Sequence, residues 1–411
     1  MTSAAAPGRA APGPWTVAIA GGVALAVAMG LGRFAFTPLL PLMLADGSVD
    51  LHAASWLASA NYIGYLAGAL LCTFEPWLRT RWIAMPPVHG PSAVRAGLVA
   101  TGVVTLGMAL PWPAAWPTLR FLAGVASALV FVYASGWCLA RLARAGASAL
   151  GGAMFAGPGA GIVASGLVVG VMVAWHRSAA AGWAIFGVLA FALTALIWPV
   201  FGGAPAAPDA ATPDGAALHE PPHRRGEIPL LALAYGMAGL GYIVTATFLP
   251  VIAREALPGS PWIDFFWPIF GVGVVVGALL STRLRIGGDL RLLLAGAYVL
   301  QAAGIAAGVW RPTLAGFAFG SLLLGLPFTA ITFFALQEAR RLRPATSAST
   351  IGLLTILYGI GQIVGPPLAA RLVARSASTA AGFSLALGMA ASALLAGALV
   401  FVSMTRLFPK D

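Results

Sequence analysis

Long apolar runs, separated by short breaks rich in glycine, proline or arginine, follow one another along almost the whole chain. A helix needs about 20 such residues to cross the hydrocarbon core of a bilayer. Twelve runs meet that requirement, and they fall into two sets of six. The first set lies at 15–44, 51–75, 92–111, 116–140, 147–174 and 180–201, and the second at 228–253, 261–281, 290–309, 313–337, 346–373 and 380–405. The pattern therefore predicts an all-α integral membrane protein with twelve transmembrane helices.

Polar stretches divide the chain further. The stretch GGAPAAPDAATPDGAALHEPPHRRGE is rich in proline, alanine and glycine and cannot build a packed core, so we interpret it as a flexible linker. The run that begins at Trp15 is long and ends in no small-residue cleavage site, which favours a retained first span over a cleaved signal peptide. The expected organisation is a disordered tail at 1–14, a six-helix half at 15–201, a cytoplasmic linker at 202–227, a six-helix half at 228–405 and a tail at 406–411.

Composition and charge place the chain in a membrane with a defined orientation. Of its 411 residues 60% are hydrophobic and 9% are charged, which excludes a water-soluble domain with one buried core. Sixteen of the 23 basic residues lie in loops on the side of both termini, and short cytoplasmic loops are enriched in such residues. The five on the opposite side are Arg177, Arg254, Arg311, Arg371 and Arg375. We expect a multi-pass protein of a bacterial inner membrane with both termini cytoplasmic, whose net charge of +11 requires no nucleic-acid partner.

The two sets of spans are copies of each other. The motifs GLG and LP of the first span recur in the seventh, 209 residues later. Span eight matches span two at the same offset, with GVVVGALL from Gly273 against GYLAGALL from Gly64. The Gly-Pro pairs of spans five and eleven lie 208 residues apart. A parallel duplication of six spans predicts two halves related by an axis along the membrane normal, with substrate bound between them near mid-membrane.

Several motifs resemble those of the major facilitator superfamily. RFLAGVASAL, which contains Arg120 and Gly124, is similar to its R-x-x-x-G pattern, and the Gly-Pro motifs GAMFAGPGAG and GQIVGPPLA are similar to those of its proton-coupled exporters. GLGRFAFTPLLPLML, WLASANYIGYLAGALL, GLPFTAIT and YGIGQIVGPPLA together resemble the bacterial YbfB/YjiJ-like family. The resemblance implies the major facilitator fold and secondary transport, and it does not define a substrate.

The superfamily also carries a latch loop of glycine, aspartate and arginine between spans two and three. Here that loop reads LRTRWIAMPPVHG and has no aspartate, whereas the equivalent loop RLRIGGDLR keeps Gly287, Gly288, Asp289 and Arg291. We expect the latch to be asymmetric.

Arg33 is the sharpest candidate for substrate binding. A guanidinium at membrane depth costs at least about 2.5 kcal/mol on insertion scales and normally has a partner inside the bundle. Arg33 either snorkels toward the outer interface or binds an anion in the cavity, and we favour the second interpretation. The position 209 later is Tyr242, so the charge was not duplicated. Pro38 and Pro41 remove amide donors after Arg33 and suit a gate.

Other polar side chains within the spans extend the predicted site. Asn61 and Tyr65 lie one helical turn apart, as do Tyr358 and Gln362, so each pair shares a helix face. These pairs bind substrate or only hold helices together, a contact typically worth about 0.6 kcal/mol. The predicted substrate-binding residues are Arg33, Asn61, Tyr65, Tyr242, Tyr358 and Gln362. The predicted coupling and gating residues are Arg120, Asp264, Pro38, Pro41, Gly157, Pro158, Gly365 and Pro366.

Some patterns carry no site. The small-residue faces GYLAG and GVVVG are interpreted as helix packing. HEPPH, from His219 to His223, satisfies the H-E-x-x-H zinc motif literally, but its two prolines forbid the required helix, so no metal site and no cofactor are predicted. Asp46, Glu75 and Asp264 lie only at the margins of spans, which gives proton coupling little support from the residues.

These features predict a monomeric secondary transporter of a small organic solute rather than an enzyme. The Gly-Pro motifs favour export coupled to protons, whereas Arg33 favours uptake or exchange of an organic anion. A receptor or scaffold that does not transport is a third reading, which the absence of a sizeable soluble domain makes less favoured.

Overall fold

The computed structural model describes residues 12–81, 88–202, 226–283, 288–343 and 347–409. Within these ranges the secondary structure is helical, and eleven helices are long and apolar enough to cross a membrane. We number the membrane helices α1 to α12. The first six are Pro14–Ala45, Leu51–Arg81, Gly90–Gly107, Trp116–Arg144, Ser148–Ala174 and Ala179–Ile197. The second six are Glu227–Ala256, Phe266–Ser281, Leu290–Trp310, Leu314–Leu342, Ser347–Arg375 and Thr379–Leu407.

Each predicted span coincides with one of these helices. The third, Gly90–Gly107, is not among the eleven, because its glycines, Pro91 and Arg95 lower its mean hydropathy. Since the helices alternate in direction, α1 begins and α12 finishes at the same end of the bundle, which we call the terminal end. The predicted tail at 1–14 and the linker at 202–227 lie mostly outside the described residues.

The packing inside the two groups of helices repeats with the sequence. Helix α2 packs on α4 and α3 on α6, and in the second group α8 packs on α10 and α9 on α12. Glycine allows close approach in the α2–α4 and α8–α10 contacts. A Cβ on Gly64 of α2 would overlap the backbone of Phe121 in α4, and one on Gly277 of α8 would overlap the backbone of Leu326 in α10. The interpretation of these glycine faces as packing surfaces is confirmed.

The two groups meet along three pairs of helices: α2 with α11, α5 with α8, and the outer part of α1 with α7. The Thr37 hydroxyl of α1 donates a 2.7 Å hydrogen bond to the carbonyl of Ala246 in α7, and these residues are 209 positions apart. Equivalent positions of a duplicated chain come together at the axis that relates the copies. Thr37 and Ala246 therefore mark the centre of the molecule.

Helix α1 is irregular where the axis passes. Residues Ala26–Phe34 form a π-helix between two α-helical pieces. The missing amide of Pro38 prevents the usual hydrogen bond to the carbonyl four residues earlier, and Gly30 packs directly on the backbone of Gly161 in α5. Such π-helical turns occur frequently at functional sites. Pro38 and Pro41, which were predicted to suit a gate, follow this altered segment.

A buried charge cluster joins four helices at the terminal end of the second group. The Arg291 side chain is fully buried and makes ion pairs with Asp289 at 2.7 Å, Glu227 at 3.4 Å and Glu338 at 3.8 Å. It also donates hydrogen bonds to the carbonyls of Met404 and Phe408 near the end of α12. Asp289 and Arg291 are the retained latch residues. Residues 82–87 of the loop that lacks aspartate lie outside the described residues, so the asymmetry of the latch stays a prediction.

Candidate functional site

Arg33 lies at the end of the π-helical segment and points into the bundle. Only 4% of the residue is exposed, so it does not snorkel to an interface. Its Nη2 donates a 3.1 Å hydrogen bond to Oε1 of Gln362 in α11, and its buried Nε has no partner. The guanidinium carbon lies 4.2 Å from the ring centre of Tyr65 and 5.2 Å from that of Tyr62, within the range of cation–π attraction.

Gln362 connects Arg33 to the residue at the equivalent position of the second half. Its Nε2 donates a hydrogen bond to the hydroxyl of Tyr242 in α7, while its Oε1 accepts from Arg33. Gln362 and Tyr242 are 2% and 1% exposed. The charged position of one half and the aromatic position of the other are thus joined through one neutral amide.

Tyrosine rings form the wall of the site on the side of the second half. Tyr358 lies between Tyr235 and Tyr242, with ring centres 4.6 Å and 5.8 Å apart and planes inclined by 22° and 21°. The Tyr235 hydroxyl donates to the hydroxyl of Thr332 in α10 at 3.2 Å. Phe328, also in α10, meets the Tyr242 ring edge to face at 5.0 Å. We call Arg33, Gln362 and the surrounding tyrosines the central cluster.

The structure brings five of the six predicted substrate-binding residues together. Arg33, Tyr65, Tyr242, Tyr358 and Gln362 belong to the central cluster. The sixth, Asn61, donates from Nδ2 to the carbonyl of Arg120 and holds α2 on α4. This contact fits the alternative interpretation, in which the residue only holds helices together.

Two further members of the central cluster, Tyr62 and Tyr235, were not among the predicted residues. The chain has seven tyrosines, and five of them lie in the central cluster. Tyr235 also precedes Tyr242 by two helical turns and therefore shares its face. The spacing of Tyr235 and Tyr242 was available in the sequence.

Arg120 supports the backbone that carries Arg33. Its guanidinium, 2% exposed, donates from Nη1 to the carbonyl of Gly32 and from Nη2 to the carbonyl of Arg33, each at 3.1 Å. Ser127, two turns along α4, donates to the carbonyl of Ala28 at 2.6 Å. Helix α4 thus supplies hydrogen-bond donors to the π-helical segment, and Arg120 acts through backbone rather than through a carboxylate partner.

Replacing Arg120 by lysine is expected to weaken solute binding through Arg33. A lysine ammonium is a single point charge and lacks the planar fork that reaches two carbonyls at once. We expect the affinity for the solute to fall on the order of tenfold, equivalent to about 1.4 kcal/mol, measured by thermal-shift titration. Because Arg120 would act through Arg33, the same change in an Arg33→Gln background should have little further effect. Additive losses in the double variant would contradict this role.

Comparisons with known proteins agree with this architecture. A family model described as "Uncharacterised MFS-type transporter YbfB" matches residues 25–402. The chain belongs to this family of major facilitator transporters. Its members are transporters rather than enzymes. No curated protein matches the chain.

Solved transporters share the fold of this major facilitator protein. A mutant of the nucleoside transporter NupG is 16% identical with a TM-score of 0.71, over 94% of this chain and 99% of that one. A D-xylose-proton symporter is 14% identical with a TM-score of 0.70, over 94% of this chain and 96% of that one. At these identities the likeness establishes the fold alone. The predicted all-α fold with two parallel-repeat six-helix halves is confirmed.

The predicted coupling and gating residues of the transporter occupy different places. Asp264 precedes α8 at the end opposite the terminal end and pairs with Arg254 at 2.7 Å. Pro38 and Pro41 lie in the last piece of α1, beyond the π-helical segment. Gly157 and Pro158 follow a break in α5, where a Cβ on Gly157 would overlap the backbone of Gly22 in α1. Gly365 packs on Ile243 of α7, and Pro366 lies inside α11.

Carboxylates are remote from the central cluster of the transporter. Among the described residues the acidic side chains are near helix ends, and none is an ion-pair partner of Arg33 or Arg120. Among the same residues no group of histidine, cysteine, aspartate and glutamate could hold a metal ion. The HEPPH segment lies outside the described residues. The Arg33 guanidinium is thus a buried cation whose hydrogen-bond and ring partners are neutral.

Burial decreases from the centre of the transporter toward the terminal end. Tyr62 and Gln362 are buried, whereas Tyr65 and Tyr358, one turn nearer the terminal end on the same helices, are half-buried. On the opposite side, the Thr37 contact and a 3.0 Å hydrogen bond between the hydroxyls of Tyr62 and Thr247 join the halves. The central cluster is therefore closed from the outer side and more accessible from the terminal end.

Proposed function

We propose that this transporter carries a small organic anion by alternating access, with Arg33 as the charged group of its binding site. The observation that carries the proposal is the state of Arg33: buried, hydrogen-bonded to a neutral amide and remote from every described carboxylate. A buried cation without a counter-charge is costly unless a ligand supplies the charge. A bound carboxylate provides that charge.

The seam between the halves supports the alternating-access part of the proposal. The central cluster takes side chains from α1 and α2 in one half and from α7 and α11 in the other, so rocking of the halves would open it to either side. We propose that both termini lie on the cytoplasmic side of a bacterial inner membrane, so that the more accessible end of the central cluster faces inward. We propose that one monomer transports, since one chain completes the site.

Counterflow in proteoliposomes tests the proposed function. Vesicles with purified protein are preloaded with one unlabelled solute at a time and diluted into the same labelled solute. The panel contains short carboxylates, inorganic phosphate, a hexose and a nucleoside. The proposal expects protein-dependent accumulation of carboxylates only. Accumulation of the neutral solutes without the carboxylates would overturn it.

Export coupled to protons is a second candidate function. It is favoured by the Gly-Pro positions, because Gly157 packs α5 on α1 and Gly365 packs α11 on α7, the two helices that meet at the axis. An imposed pH gradient across the same vesicles distinguishes the candidates. Accumulation that follows the pH gradient in the absence of preloaded solute supports proton coupling, and accumulation that requires preloading supports anion exchange.

A further inference from the structure

We infer that the anion is a planar aromatic monocarboxylate whose carboxylate takes the place of the Gln362 amide oxygen at Arg33 and whose ring lies against Tyr65 and Tyr358. This inference rests on the proposed function and narrows its substrate class. Three features support it: the charge at the cluster, the hydrogen bond between Arg33 and Gln362, and the aromatic side chains on the accessible side of Arg33.

The charge at the site fits a single negative charge. Arg33 and Arg120 are the two buried arginines near the axis, and neither has a carboxylate partner among the described residues. Arg120 donates two hydrogen bonds to backbone carbonyls of α1, those of Gly32 and Arg33. Both arginines keep a buried Nε without a partner, but only the Arg33 side chain reaches the central cluster, through its hydrogen bond to Gln362. One guanidinium at the cluster matches one carboxylate, and a doubly charged phosphate would bring a second charge that no other cationic side chain of the cluster pairs.

Gln362 occupies the position that a carboxylate oxygen would take. Its Oε1 accepts from Arg33 at 3.1 Å, and its Nε2 donates to the Tyr242 hydroxyl. A side-chain amide and a carboxylate have the same planar shape. An incoming carboxylate can therefore accept from Arg33 directly, while the displaced amide and the Tyr242 hydroxyl remain as donors for its second oxygen.

Aromatic rings line the approach from the accessible side. Tyr65 and Tyr358 belong to α2 and α11, which pack together, and both are half-buried on the terminal side of Arg33 and Gln362. The Tyr65 ring already faces the guanidinium at 4.2 Å, and Tyr358 is part of the near-parallel stack. A ligand that enters with its carboxylate leading leaves its body next to Tyr65 and Tyr358. The faces of the Tyr358 ring are covered by Tyr235 and Tyr242, so a flat ligand ring would lie over Tyr65 and meet the edge of Tyr358. A saturated ring of the same size gains neither aromatic contact.

The test compares benzoate with two matched probes on the purified full-length protein. Cyclohexanecarboxylate keeps the charge and size without the flat ring, and benzamide keeps the ring without the charge. Acetate and inorganic phosphate complete the series. We expect benzoate to bind about 3- to 10-fold more tightly than cyclohexanecarboxylate, and benzamide and phosphate not to bind. The readout is the thermal-shift midpoint as a function of ligand concentration.

Variants of the two tyrosines show which side chains give the preference for benzoate over cyclohexanecarboxylate. Tyr65→Leu and Tyr358→Leu should each reduce the ratio of benzoate to cyclohexanecarboxylate affinity toward one, while Tyr65→Phe and Tyr358→Phe should retain it. Continued binding of cyclohexanecarboxylate by the leucine variants shows that a lost preference is not a failure to fold. Equal affinity for the two carboxylates in the wild type overturns the aromatic inference and leaves the organic-anion function standing. Binding of benzamide as tight as that of benzoate, or of no carboxylate at all, overturns both.

Discussion

Replacing Arg33 by glutamine is expected to lower the affinity for organic carboxylates about 10- to 100-fold. Hydrogen bonds to a charged group contribute about 1.5–3 kcal/mol, and each 1.4 kcal/mol corresponds to a factor of ten. Glutamine retains polarity and removes the charge, so the π-helical segment and the Gln362 contact region are disturbed little. Thermal-shift titration of detergent-purified protein measures the change, because a ligand that binds the native state raises the unfolding midpoint.

Arg95→Gln is the matched control for this variant. Arg95 lies in the same half, donates to the carbonyl of Trp198 at 2.8 Å and contacts no part of the central cluster. Its loss should leave carboxylate affinity unchanged. Gln362→Glu provides the converse test, since it places a permanent carboxylate at Arg33 and should compete with the ligand as effectively as the loss of the arginine. Carboxylate binding that survives both Arg33→Gln and Gln362→Glu would exclude Arg33 as the anion site.

The second large effect is expected from Arg291→Gln, which should destabilise the fold by about 3–5 kcal/mol. The variant leaves Glu227, Asp289 and Glu338 around a buried position without their shared cation. It also removes the donors that hold the end of α12 through Met404 and Phe408. Thermal unfolding followed by tryptophan fluorescence measures the loss, since the chain has 13 tryptophans.

Two further variants separate the buried cluster from a general effect of lost charge. Arg79 pairs with Glu75 at 3.9 Å, both side chains being more than a quarter exposed, so Arg79→Gln should cost about 0–1 kcal/mol. Glu338 also pairs with Arg341 at 2.8 Å. Adding Glu338→Gln to Arg291→Gln lowers the negative charge left around the buried position and should recover part of the lost stability. If Arg291→Gln unfolds no earlier than Arg79→Gln, the buried cluster is not a structural tie.

The fold could be predicted from the sequence because membrane insertion imposes a simple rule. Every backbone polar group in the hydrocarbon region must be paired within a helix, so an apolar run of sufficient length fixes a helix. The offset of 209 residues, repeated at Gly64 and Gly273, then fixed the arrangement of the two halves. The π-helical segment of α1 was not predictable in this way. It depends on carbonyls that Arg120 and Ser127 satisfy from another helix.

The site could be predicted in part. Arg33 and Gln362 stand out because charged and amide side chains are rare inside membrane spans, and the repeat pointed to Tyr242. The cluster also depends on which helix faces meet, and α2 and α11 come from opposite halves. Asn61 and Tyr65 share a helix face, yet their side chains point in slightly different directions, so that Asn61 contacts Arg120 and Tyr65 contacts Arg33. Sequence spacing alone does not resolve such differences.

A crystal structure of the transporter with a transported carboxylate bound tests the central claim most directly. The account predicts a carboxylate about 3 Å from the Arg33 guanidinium nitrogens, with the Gln362 amide oxygen displaced and the Tyr242 hydroxyl within hydrogen-bonding distance. A carboxylate bound elsewhere between the halves, with the Arg33–Gln362 hydrogen bond intact, would contradict it and make Arg33 a structural residue.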